Sequence, residues 1–171
     1  MSSLRIGALV LPLLLGPLVA QAASYTPFSG NCVGGGLPSL TLVHLPQIGQ
    51  SLQLQMMSGG ANPGSYEGGG LTALVLGLSR TSWLGVPLPW TPSTIALLGG
   101  GACGDLMVSG DAVVNTPYLM PPALVTMSVV IPNVPALIGT TIYVQSISYR
   151  VTRHFTFGIE FGDGGEARIG T

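Results

Sequence analysis

The stretch Ile131–Tyr149, IPNVPALIGTTIYVQSISY, decides how this chain is read. Pro132 and Pro135 fix φ and withhold a ladder donor, so a central strand cannot run straight through them. Gly139 closes what the pattern predicts to be a single helical turn, PALIG, and the β-branched run TTIYV follows it. Along that run Ile142 and Val144 fall on one face, and Tyr143, Ile147 and Tyr149 on the other. Apolar residues on both faces are what a central strand between two packed layers requires. Tyr143 follows the Gly139 turn as a corner tyrosine would, which predicts a largely buried ring with its hydroxyl bonded to backbone near the turn.

Working outward, Ser51–Met57 alternates cleanly, with Leu52, Leu54 and Met56 inward and Gln53 and Gln55 outward. Further strands are expected at Leu37–Leu45, Leu71–Ser79, Ser93–Leu98, Leu106–Val114 and Ala123–Ile131, with Phe155, Phe157, Ile159 and Phe161 alternating in a late one. Glu166–Ile169 can complete a sheet. Ser24–Gly36 and Ser58–Gly70 read as Gly-rich loops, and Arg80–Pro92 as a structured excursion holding both tryptophans. Eight to ten short strands at roughly ten-residue spacing give the expected fold class. It is all-β: a two-sheet antiparallel β-sandwich, immunoglobulin-like or jelly-roll-like.

Composition bounds the class. Only 6% of residues are charged, against 26 Gly and 14 Pro, and the chain contains no Lys. Met1–Arg5 carries one positive charge, Ile6–Ala20 is apolar, and Ala20-Gln21-Ala22 has the form of a cleavage site. Residues 1–22 are therefore expected to be a secretory signal peptide and 23–171 a single β-sandwich domain, exported to the cell surface or beyond. No membrane span is expected after cleavage. Without Arg5, four Arg face six acidic residues, a net charge of −2 with His neutral. That balance excludes the basic footprint of a nucleic-acid or anionic-lipid binder. Disorder is excluded by high hydrophobicity with low charge.

Cys32 and Cys103 each stand beside a glycine run, and in an exported chain two cysteines are expected to pair. Several pieces recur in a telling order: C-x-G-G-G-x-P-x-L at Cys32–Leu40, L-P-x-x-G-Q at Leu45–Gln50 and L-x-L-G-x-S-x-T-S-W-x-G-x-P-L-P at Leu74–Pro89. G-x-C-G-x-L follows at Gly101–Leu106, then I-P-N-x-P-A-L-I-G-T-T-x-Y-x-Q at Ile131–Gln145 and G-x-A-R-I-G at Gly165–Gly170. In this order the chain resembles a group of small secreted bacterial proteins and C-terminal modules. Val33 stands where the group typically carries Pro. The resemblance implies a disulfide-linked all-β domain and no activity.

Chemical motifs are sparse. Gly99–Gly104 fits G-x-G-x-x-G, but it contains Cys103 and precedes no helix, so no dinucleotide site is expected. His44 and His154 lie far apart in sequence with no acidic residue nearby, and no nucleophile, base and acid can be assembled. No catalytic activity and no cofactor are inferred. Glu160, Asp163 and Glu166 form the densest acidic group, a weak calcium candidate against a plainer reading as a solvated turn at Asp163-Gly164. Trp83, Trp90 and Tyr66 lie in Gly/Pro loops and are the candidates for stacking on sugars, or for plugging the end of the sandwich. The leading expectation is a structural or interaction domain of the cell surface or extracellular matrix. A polysaccharide- or surface-binding module is the alternative. With no Lys to guard sheet edges, self-association or edge-on docking is also expected.

Overall fold

The computed structural model describes residues 20–30, 38–57, 67–91, 102–118, 124–152 and 157–171. Over these residues the protein is all-β with antiparallel sheets, apart from a short parallel pairing at Ala102 and Cys103 and an isolated parallel bridge between Gln47 and Gly170. The strands are β1 (Ser24–Phe28), β2 (Ser39–His44), β3 (Ser51–Met57), β4 (Glu67–Gly77), β5 (Ser82–Trp83), β6 (Val86–Pro87), β7 (Ala102–Cys103), β8 (Ala112–Tyr118), β9 (Leu124–Val130), β10 (Thr141–Thr152) and β11 (Phe157–Arg168). The larger sheet has the order β1-β11-β10-β4-β8, with β7 alongside β11. The smaller sheet has the order β2-β3-β9, and β5 and β6 form a separate hairpin.

The alternation of β3 places Leu52, Leu54 and Met56 in the core with no exposed surface. There they join Leu40, Met127 and Ile131 from their own side, and Leu74, Val144, Ala167 and Ile169 from the side of the larger sheet. Burying each of these large side chains contributes about 1.5–3 kcal/mol. One apolar core thus lies between the two sheets.

β10 is the central strand of the larger sheet, paired to β11 on one side and β4 on the other. The predicted helical turn before it is a 3-10 turn at Pro135–Leu137. Gly139 follows at φ 84°, a conformation a side chain would resist, and its N–H donates to Ile169 O at 2.8 Å.

The second face of β10 and β4 is also covered, as the apolar runs required. Ala73, Val75, Gln145 and Phe161 are buried there, as are Leu106, Met107 and Val108. The segment from Cys103 to Asp111 runs across this face. It starts beside β11 (Glu160↔Cys103), bonds to Gln145 of β10, and reaches the end of β4, where Ser109 N–H donates to Ser79 O at 2.8 Å. Only then does the chain turn into β8.

Several expectations are corrected. Ser24–Gly36 is not wholly a loop, because Ser24–Phe28 pairs with Gly164–Arg168 as β1. Leu106–Val114 is not one strand: its first half is the crossing segment, held by the Gln145 side chain and by scattered backbone bonds, and β8 begins at Ala112. The solvated turn at Asp163-Gly164 does not form, since both residues lie inside β11. Tyr143 is half-buried rather than largely buried. The expected strand at 93–98 lies outside the described residues, as do residues 1–19 of the expected signal peptide. Gln21 lies within them and meets the last residue: Thr171 N–H donates to Gln21 O at 3.1 Å.

Candidate functional sites

Three places concentrate polar or exposed apolar side chains, and each grows from a local feature of the strands. The first is a bulge. Between Gln145↔Gly164 and Ile147↔Phe161, β11 places Gly162 and Asp163 opposite the single residue Ser146. The carbonyls thrown out of register are caught by side chains. Gln145 Nε2 donates to Asp105 O at 2.8 Å and Gly162 O at 3.2 Å, while its Oε1 accepts from Met107 N–H at 2.9 Å. Ser146 Oγ donates toward Pro38 O at 3.1 Å and Asp163 O at 2.8 Å. The Asp163 carboxylate accepts from Gly30 N–H at 3.0 Å. Gly162 has to be glycine, since a Cβ there would run into the Pro38 carbonyl and stand 2.6 Å from Ser146 Oγ. These polar groups bond to one another and to backbone; they fasten loops to the sheet.

Beside the bulge, the Tyr25 ring lies across Gly165 and its hydroxyl is buried without a hydrogen-bond partner among the described residues. Burial, and then the Asp163 carboxylate, push this hydroxyl up to a pKa of about 12. Phe28 lies across Gly164, and the Arg80 guanidinium sits 4.2 Å from the centre of its ring.

The second place is the base of the β5–β6 hairpin. Ser109 Oγ donates to Asp111 Oδ2 at 2.7 Å and accepts from the N–H groups of Leu78 and Ser79, each at 3.0 Å. Asp111 Oδ2 also accepts from Leu78 N–H at 2.8 Å. The Ser109 hydroxyl and the Leu78 N–H together hold the Asp111 carboxyl below the ordinary aspartate range. Above this clamp, Ser79 Oγ accepts from the N–H groups of Thr81 and Ser82, and Leu88 N–H donates to Thr81 O at 2.9 Å. Trp90 pairs with Leu106 through both backbone bonds, and the Trp83 ring lies against Gly110. The sequence stacking candidates Trp83 and Trp90 are thereby brought together. With Val86 and Leu88 they line an open cleft of about 180 Å³, in which the described residues include no charged or hydrogen-bonding side chain other than the indoles. Tyr66, the third candidate, lies outside the described residues.

At the tip of that hairpin the loop is Leu84-Gly85, with Trp83 opposite Val86. Both loop residues have positive φ, 50° and 83°. That is the two-residue turn in which Asn-Gly or Asp-Gly is favoured, and a leucine there carries a steric penalty of about 1–2 kcal/mol. Leu84 is 88% exposed, and a Cβ built on Gly85 would meet nothing within 4 Å.

The third place is the side of the molecule between edge strands β8 and β9. Leu76, Gly77, Leu78, Ala112, Val129 and Ile142 line an open apolar cleft of about 180 Å³ there, with Asp111 beside them. β9 itself, LVTMSVV, carries neither charge nor proline, and its outward Leu124 and Val130 are 63% and 73% exposed.

The calcium candidate does not hold. Glu160, Asp163 and Glu166 are spread along a strand, where six residues span roughly 20 Å, and no group of three potential metal ligands occurs among the described residues. Asp163 is instead engaged with Gly30. His44 is exposed on β2, and His154 lies outside the described residues. Cys103 lies on β7 and Cys32 outside the described residues; among the latter no cysteine is a free thiol. No helix among the described residues is long and apolar enough to cross a membrane.

Sequence reasoning missed Gln145 and Ser146. Two polar residues following TTIYV were the only signal, set in a strand whose faces are otherwise apolar. No family model matches this chain, and neither a curated protein nor a solved structure matches it.

Proposed function

We propose that this chain is an exported structural or interaction domain of the cell surface or extracellular matrix, acting through a sheet edge rather than through catalysis. The observation that carries this reading is β9. Among the described residues it is an edge strand in the order β2-β3-β9, seven residues long, with no charge or proline to deter pairing. Its neighbour β3 is equally uncharged, and β2 ends only in His44. Such an edge accepts an added strand through its backbone groups, from a second copy or from a surface partner. Two sheets around one core support a two-sheet sandwich, and we propose that Cys103 is bridged to Cys32, the only other cysteine in the chain. The bridge would fasten the start of the crossing segment.

Light scattering on size-exclusion fractions, over a wide range of loading concentration, tests the edge. Concentration-dependent dimers or larger species that vanish in Ser128→Lys support it. A monomer at every concentration, together with no capture of surface material, overturns it.

A polysaccharide-binding module is the second reading, favoured by the meeting of Trp83 and Trp90 in one cleft. It ranks second because sugars need hydrogen-bonding side chains beside the rings, and among the described residues the other lining side chains are Val86 and Leu88. A glycan array bound by the wild type and not by Trp90→Ala would promote it.

A further inference from the structure

We propose that the β5–β6 hairpin is a membrane-docking tip, with Leu84, Trp83 and Val86 entering the interfacial layer of an electrically neutral lipid bilayer. This goes beyond the edge-strand reading and does not depend on it.

The first observation is that folding does not account for Leu84. Its position has φ 50° in a two-residue turn where Asn is better tolerated. Its side chain is 88% exposed, and around Gly85 there is open space. Strained residues cluster at functional sites, and one that faces solvent points to a contact outside the protein.

The second observation is what stands behind the tip. Trp83, Val86, Leu88 and Trp90 form one open apolar cleft, so Leu88 and the Trp90 indole stand beside the leading residues. Indoles favour the layer between water and acyl chains, where the ring is sheltered and the N–H stays wet. The hairpin's backbone suits shallow insertion. Trp83 and Val86 are paired, which leaves only the two-residue turn to be satisfied at headgroup depth.

Charge selects the kind of surface. From Thr81 to Gly104 the chain has no acidic or basic residue and no histidine. Insertion therefore desolvates no ion, and no cluster of basic residues is present to seek anionic headgroups. The flanking charges are Arg80, stacked on Phe28, and Asp105 in the crossing segment. A neutral bilayer fits this tip, and salt should leave the binding intact.

The chain has two tryptophans, both in this cleft, so its indole emission reports on this site alone. With phosphatidylcholine vesicles the protein should co-sediment, its emission should shift to the blue, and lipids brominated in the acyl chain should quench it. High salt should change none of these. Leu84→Asp should abolish binding with the melting temperature unchanged or raised. Leu84→Asn should raise the melting temperature, because the turn is relieved, while weakening vesicle binding several-fold. Three results would overturn the proposal. One is Leu84→Asp binding as well as wild type. Another is binding that needs phosphatidylglycerol and disappears in salt. The last is a blue shift that appears without vesicles as protein concentration rises, which would make the partner of the tip a second copy.

Discussion

Gln145 on β10 and Met107 on the crossing segment are joined by a buried hydrogen bond of 2.9 Å, from the Met107 N–H to the Gln145 side-chain oxygen. The other end of the same amide holds Asp105 O and Gly162 O. One side chain thus closes the β11 bulge and holds down the segment that covers the sheet's second face. Gln145→Leu removes all three bonds at nearly constant volume and leaves buried backbone groups unpaired. A loss of about 2–5 kcal/mol is expected in chemical denaturation, since each unpaired group costs about 1–3 kcal/mol. Gln145→Glu keeps the acceptor for Met107 but sets a carboxylate against two carbonyls, so its deficit should shrink as that group is protonated in acid.

Tyr25 gives the opposite sign. Its hydroxyl is buried and unpartnered among the described residues, so Tyr25→Phe should leave stability unchanged or raise it by about 1 kcal/mol. The pH dependence follows from the raised pKa of about 12. The folded state holds this proton more tightly than the unfolded chain, so its contribution is complete below pH of about 10 and declines as pH rises toward the folded value. Thermal melts of wild type and Tyr25→Phe should therefore diverge least in their loss of stability below that window, and the wild type should lose more within it.

Asp111 acts at the acid end. Its carboxyl is held below the ordinary range by Ser109 and Leu78, so the stabilisation it lends is present above the unfolded value and lost as pH falls through the folded one. In NMR titration the Leu78 amide should shift with that protonation. Asp111→Ala should remove the shift and loosen the hairpin base at neutral pH, with the core strands unaffected.

Gly162→Ala tests the bulge from the β11 side. The added methyl meets the Pro38 carbonyl and the Ser146 hydroxyl, so either the strand or residue 38 must move. A destabilisation of about 1–3 kcal/mol is expected, read as a lowered denaturation midpoint. An unchanged midpoint would mean that Pro38 yields freely.

The strands with a clear side-chain period could be read from the sequence. Ser51–Met57 alternates up to its exposed last residue, Met57, and is β3 to the residue, and the apolar residues on both faces of TTIYV did mark a strand covered on both sides. What escaped had no period to show. β1 contains Pro27 and follows no alternation; it forms because Gly164 and Gly165 leave room for Phe28 and Tyr25 across β11. The acidic run around Asp163 reads as a turn because Asp-Gly favours one, but the pairings on both sides of β11 outweigh that local preference and absorb it as a bulge. The meeting of Trp83 and Trp90 depends on the Trp90–Leu106 bridge, a contact between residues that sequence alone does not bring together. Leu84 was passed over because leucine is unremarkable until its φ is known.

Gly170 lies against the backbone of Ala23, which brings the two ends of the described domain together, while the Leu84-Gly85 turn stands in open space. The order of the strands along the polypeptide is then nearly separable from their order in space. A circular permutant, with Thr171 linked through a few glycines to Ala23 and new ends cut between Leu84 and Gly85, asks no strand to leave its ladder. Such a molecule would keep the sheets and sacrifice the hairpin tip, dividing what the chain needs to fold from what it holds out to its surroundings.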